Sequence, residues 1–443
     1  MARKCNQTGV IRTYMSFCVL PSGAKTLRNV TVPASLIGQS GDLILTDLTL
    51  QDGKIVKTDA GQPAETTIDT PQIDMKGAMV FPAFVDMHTH LDKGHIWPRA
   101  SNPDGSFMGA LETVHADHAN WTAADVEARM DFALRCAYAH GTKAIRTHID
   151  SLDALASSSF GVVKRMQDKW AGKIELQASC LVAIDKVFKD QGDFPAIAKI
   201  VADAGQILGS VTYPVPDLKE RLLDFFHFAV MYDLDVDFHV DETDDPTSDT
   251  LRTIAETVLE LGFKNRVTVG HCCSISVMPD EVAGEIIALV AKAGLNVVSL
   301  PMCNMYLQDR YKGRTPRWRG VTMAHELNAA GVNVSFASDN TRDPFYAYGD
   351  LDMIEVMREA TRICHLDHTD VPWVNAFLTN PAQACGFDAP SLTEGAPADL
   401  VICNARGWTE LFARPQSDRL VLRDGDPIDR TLPSYSELDE IVS

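Results

Sequence analysis

The sequence predicts an α/β protein: a (β/α)8 TIM-like barrel with a small β-sandwich domain built from both chain ends. Three observations carry this reading. Eight apolar runs rich in β-branched residues recur between residues 78 and 339; segments of helical period separate them; and the two chain ends share a different, short-strand character. Residues 1–77 are assigned to the N-terminal part of the small domain, 78–387 to the barrel, and 388–443 to the C-terminal part.

In chain order, Leu43 to Leu50 partly alternates, Asp52-Gly53 is a favoured hairpin dipeptide, and Lys54-Ile55-Val56 restarts a strand. The first barrel run spans Ala78 to His90. The others are Ala144–Asp150, Ile174–Cys180, Ile207–Tyr213, Val236–Glu242, Arg266–His271, Leu295–Leu300 and Val332–Asp339. Helices are expected at Asp125–His140, Leu218–Tyr232, Thr250–Leu261, Asp280–Ala293 and Met323–Ala330. Gly141, Gly262, Gly294 and Gly331 stand at their ends as stop signals. Two more helices, Met353–Cys364 and Trp373–Leu378, follow the eighth strand. Asp399–Cys403 and Arg419–Arg423, with the Asp424-Gly425 turn, return to short strands.

The 443 residues carry 40 basic and 60 acidic side chains, a formal net charge of −20. That balance argues against binding nucleic acid or an anionic membrane and favours a small neutral or cationic partner. No long apolar run marks a membrane span, and the basic start Met1-Ala2-Arg3-Lys4-Cys5 lacks the apolar segment of a secretory leader. The 10 cysteines lack Cys-x-x-Cys spacing, so reduced thiols and a cytoplasmic location are expected. Symmetric self-assembly into a homo-oligomer is compatible with the general frequency of such assemblies.

Functional groups of a barrel gather at the C-terminal ends of its strands. Those ends carry His88 and His90, then His148, Tyr213, His239 with Glu242, His271, and Asp339 with Asn340; five of the 13 histidines thus fall at four strand ends. His88 and His90 are two apart on a strand and can face one point. Three imidazoles and a carboxylate form a site for one divalent cation, zinc or iron, that lowers the pKa of water toward 7. Beside it Glu242 can move a proton to a substrate nitrogen, Asp339 can accept a proton from the attacking water, and His271 can orient that water. His148 reads as a satisfied barrel residue. The pairs His115/His118 and His365/His368 read as solvated surface, and Arg314, Arg317 and Arg319 as a mobile loop after strand seven. Asn102–Phe107 reads as a lid.

The succession Phe81-Pro82-Ala83-Phe84-Val85-Asp86-Met87-His88-Thr89-His90-Leu91-Asp92, Arg146-Thr147-His148-Ile149-Asp150, Asp237-Phe238-His239-Val240-Asp241-Glu242, Gly270-His271 and Ser338-Asp339-Asn340-Thr341-Arg342-Asp343-Pro344-Phe345 resembles the amidohydrolase superfamily, and within it the cytosine deaminase branch. The resemblance implies metal ligands His88, His90, His239 and Asp339, an acid/base carboxyl Glu242 and a catalytic His271. It places Asn340, Phe345 and Leu91 at the substrate. The end of strand four, Gly209 to Pro214, lacks the lysine with which relatives bridge two metals, so one metal per chain is implied. Two features separate the chain from a cytosine deaminase. Ala183 stands where those enzymes carry a ring-binding glutamine, and Asn340 and Phe345 stand for an aspartate and a tryptophan.

The expected function is hydrolytic deamination of a small nitrogen heterocycle, cytosine-like or a related amino-substituted ring, by metal-activated hydroxide with release of ammonia. A hydrolase of a cyclic amide or an N-alkylamino-triazine would use the same groups. A non-catalytic metal-binding protein would not need Glu242.

Overall fold

The computed structural model describes residues 17–60, 70–152, 155–414 and 418–442; the first five residues, basic in the sequence, lie outside it. The chain divides into two compact units, Met1–Val32 with Leu43–Phe81 and Thr393–Ile428, and Pro33–Asp42 with Pro82–Leu392 and Asp429–Ser443.

In the smaller unit, strands from both chain ends join in one hydrogen-bonded sheet of eight, with Leu400–Cys403 beside Met79–Pro82. Asp52 and Gly53 both take positive φ (51° and 75°), the backbone of a two-residue hairpin between Leu43–Gln51 and Lys54–Ala60. Leu27, Val30, Leu48, Leu50 and Leu400 form its buried face.

The larger unit is the barrel. Its strands are β1 (Phe84–Thr89), β2 (Thr142–Asp150), β3 (Glu175–Leu181), β4 (Leu208–Thr212), β5 (Val236–Val240), β6 (Val267–His271), β7 (Asn296–Ser299) and β8 (Asn333–Phe336). Parallel ladders join β1 to β3 and β4 to β8. Parallel bridges Ser179–Ile207 and Ala183–Val211 link β3 to the β4 side, and Thr89–Asp339 links β1 to the residues after β8. Helices such as Ala123–His140, Thr250–Leu261 and Asp280–Ala293 lie between strands, and Gly141, Gly262 and Gly294 close them in the left-handed conformation.

The long first run does not form one strand. Pro82 has no N–H to continue a ladder, and the run splits into Met79–Pro82 and Phe84–Thr89, one for each sheet. The segment expected as a helix from Trp373 is a 3-10 turn, Trp373–Phe377, followed by a helix at Thr379–Cys385. At the C-terminus, Leu438 and Val442 pack on Phe132 and Cys136, and Arg99 donates to the Ile441 carbonyl. Among the described residues no helix is long and apolar enough to cross a membrane.

Candidate active site

β1 ends in His88 and Thr89, and His90 follows directly. From β5 comes His239, and Asp339 lies three residues beyond β8. His88 Nε2 is 3.1 Å from His239 Nε2, which is 3.2 Å from His90 Nε2. Asp339 Oδ1 is 3.6 Å from His88 Nε2 and 3.3 Å from His90 Nε2. The seam between β1 and the β8 end fixes this meeting. Asp339 N donates to His88 O at 2.9 Å, while the Ser338 hydroxyl and N–H both donate to the Asp86 carboxylate. Asp339 and His271 hold positive φ, 64° and 66°; such conformations are unfavourable for non-glycine residues and cluster at functional sites.

Burial, helped by neighbouring imidazoles and by Lys93, depresses His88, His90 and His239 well below the usual histidine range. The rings are therefore neutral, the form that ligates a metal. Burial pushes Asp339 up to about 8, against the Cys303 thiol, which favours its charged form. Neutral nitrogens and a buried carboxylate converging in this way are a set that a cation would satisfy. The observed nitrogen spacings are close to the roughly 3.3 Å edge of a tetrahedron with metal–nitrogen bonds of about 2.0–2.1 Å. These four groups fit a divalent metal.

Beside them, Asn304 donates from Nδ2 to Glu242 Oε1 at 2.9 Å, and the same nitrogen is 2.9 Å from His271 Nδ1. The two amide hydrogens thus serve two acceptors. His271 then carries its proton on Nε2, and Glu242 Oε2 is the oxygen left to be protonated. Burial pulls His271 down to about 3; burial, then the Asp339 charge, lifts Glu242 well above the carboxylate range. Both shifts favour the uncharged forms, an imidazole beside a carboxyl. Gln308 adds a bond to the Glu242 carbonyl at 3.1 Å. Sequence reasoning missed Asn304 and Gln308, which sit on and just after the short helix Pro301–Leu307 beyond β7.

His148 corrects an expectation. Instead of a satisfied barrel residue it is a member of the histidine cluster, 4.0 Å between ring centroids from His88 and 4.6 Å from His239, and neither of its nitrogens has a hydrogen-bond partner. Its nearest carboxylate, Asp237, is engaged by Arg146 at 3.0 Å. His118 also departs from the surface reading: it is largely buried and bonds Asp150 at 3.2 Å. His368 is solvated as expected, and Arg319 donates to the Ile363 carbonyl and meets His365.

Leu91 is buried, with its N–H on Thr147 Oγ1. Asn340 donates to Asp343 at 2.8 Å, and Asp343 in turn accepts the Phe345 and Tyr346 N–H groups, so this amide shapes the turn that carries Phe345. Phe345 meets Phe107 edge-on at 5.5 Å. Asn102 donates to Ser106 O and Pro344 O, tying the Asn102–Phe107 segment to that same turn.

A family model described as "Amidohydrolase family" matches residues 72–155 and 193–429. The chain belongs to the amidohydrolase family. A pterin deaminase from Rhizobium rhizogenes is 51% identical over 437 residues, covering 96% of this chain and 99% of the relative. An N-isopropylammelide isopropyl amidohydrolase from Pseudomonas sp. is 26% identical over 373 residues, with 81% and 87% covered. The solved 5-methylcytosine deaminase of Klebsiella pneumoniae, liganded with 5-fluorocytosine, superposes with a TM-score of 0.78 at 26% identity, covering 92% of this chain and 98% of that one. This amidohydrolase is an enzyme of C–N bond hydrolysis.

Proposed function

We propose that this amidohydrolase deaminates 2-amino-4-oxopteridines, the pterin class, to the 2,4-dioxo compounds. The observation that carries the reading is the 51% identity along nearly the whole length of a pterin deaminase, against 26% to the methylcytosine enzyme. The bicyclic ring thereby displaces the cytosine-like ring as the preferred substrate. Ala183, at the position of the cytosine enzymes' glutamine, agrees with a differently recognised ring.

His88, His90, His239 and Asp339 would hold one divalent metal, with zinc or ferrous iron suited to three imidazoles and a carboxylate. When bound, the metal supplies activated water at neutral pH. Asp339 takes a proton from the attacking water. His271, fixed by Asn304 with its proton on Nε2, donates a hydrogen bond to the incoming oxygen. Glu242 gives its Oε2 proton to the ring nitrogen adjoining the amino-bearing carbon; the adduct's hydroxyl proton and the proton held by Asp339 then supply the departing amine, delivered through Glu242, and restore the Glu242 carboxyl. The C–O bond forms, the C–N bond breaks, one water is consumed and ammonia leaves.

Ammonia release from pterin, followed with a coupled assay and by mass of the dioxo product, tests the reading. Glu242→Gln is expected to lose about 1,000-fold or more in kcat with bound metal retained. Absence of ammonia from every 2-amino-4-oxopteridine, with other aminated rings hydrolysed, overturns the pterin assignment.

A further inference from the structure

One buried cation at these strand ends has no role in the chemistry above. Lys93 follows His90 by three residues and its side chain is 5% exposed. Its Nζ donates to Asp150 Oδ1 at 2.6 Å and lies 5.6 Å from the centre of the Phe345 ring. Asp150 also receives His118 Nε2 at 3.2 Å, and its own N–H donates to Asp92 Oδ2 at 2.7 Å. Phe345 is carried by the turn that follows Asp339, so the ammonium stands beside the site. An ammonium has three donors, and among the described residues Asp150 accounts for one. Buried donors are as a rule matched by acceptors.

We propose that Lys93 recognises the ring oxo group of the substrate, with the face of Phe345 beside the ring. This rests on the heterocycle deaminase reading and names the contact that sets its preference. The charge balance selects a carbonyl oxygen over a carboxylate. Asp150 already neutralises the ammonium at 2.6 Å, so the pair offers hydrogen-bond donors rather than net charge. A full negative charge would find no net positive charge to balance it there, whereas the partial charge of a carbonyl needs only the spare N–H donors. Ala183 has no side-chain donor to offer a ring, and Lys93 has two beyond its bond to Asp150.

The test compares kcat/KM for pterin, for 2-aminopteridine without the oxo group, and for pterin carrying an exocyclic carboxylate. Wild type is set against Lys93→Gln and Lys93→Met, with metal content and melting temperature measured for each protein. Loss of about 100-fold or more on pterin, with the oxo-free ring changed by about threefold or less, is the expected result. Equal loss on both rings, a retained oxo preference, or loss confined to the carboxylated pterin overturns the proposal. Should both variants fail to fold, competitive inhibition of wild type by the dioxo product and by an oxo-free analogue decides it, and equal inhibition overturns it. Wild type that deaminates none of these rings brings down the functional reading and this inference with it. Active wild type with an unchanged preference in the variants removes the Lys93 assignment alone.

Discussion

Asn304 shows how one neutral side chain can set two protonation states. It is fully buried, and its Nδ2 faces Glu242 Oε1 and His271 Nδ1 at the same distance, 2.9 Å. Truncation frees the imidazole to change tautomer and leaves a carboxyl oxygen without a donor. Asn304→Ala is therefore expected to lower kcat by about 100-fold while KM and metal content change little. Asn304→Asp places a third acceptor before two others and is expected to be worse, with a shifted pH profile. Loss of metal in Asn304→Ala would place the residue in ligand positioning instead. The sequence does not announce Asn304. It stands in Leu300-Pro301-Met302-Cys303-Asn304, where neither charge nor periodicity marks a functional group. Lys93 was equally silent, since lysine is seldom buried unless paired, and its partner Asp150 is distant in sequence.

At the scale of elements, the site is a set of strand ends whose side chains must not collide. Gly270, the penultimate residue of β6, makes room for His88 of β1: a Cβ there would lie 3.0 Å from His88 Cε1 and 3.3 Å from Nδ1. Gly270→Ala should push the imidazole off its line, and a loss in metal affinity of about 10–100-fold is expected, read by competition with a chelator. Unchanged affinity would mean that β1 and β6 yield to each other without cost. The strands themselves were legible because parallel barrel strands are covered on both faces and read as continuous apolar runs. His88 and His90 were legible because residues two apart on a strand share a face. The break at Pro82-Ala83 is hidden in the sequence, since the residues on either side of it, Met79 to Val85, are apolar and buried. His148 was misread because a lone histidine after Arg146 gives no sign of the ring cluster that the closed strand order creates.

For the whole molecule, the same cluster links binding to stability. His88, His90, His239 and Asp339 are all 6% exposed or less, and the three Nε2 atoms and the Asp339 carboxylate converge through contacts of 3.1–3.6 Å. A metal that binds the folded chain and not the unfolded one stabilises it by an amount set by its concentration over Kd, about 3–4 kcal/mol at 100- to 1,000-fold excess. Chelator-stripped protein is accordingly expected to melt several degrees lower, and one equivalent of zinc or ferrous iron should restore both melting temperature and ammonia release. The stoichiometry carries a second test. Thr212, at the end of β4, spends its hydroxyl on the His239 carbonyl at 3.0 Å, Asp237 is held by Arg146, and no lysine stands between Gly209 and Pro214. Titration should saturate at one metal per chain. A second equivalent bound with comparable affinity would bring His148 and Asp237 into the metal site.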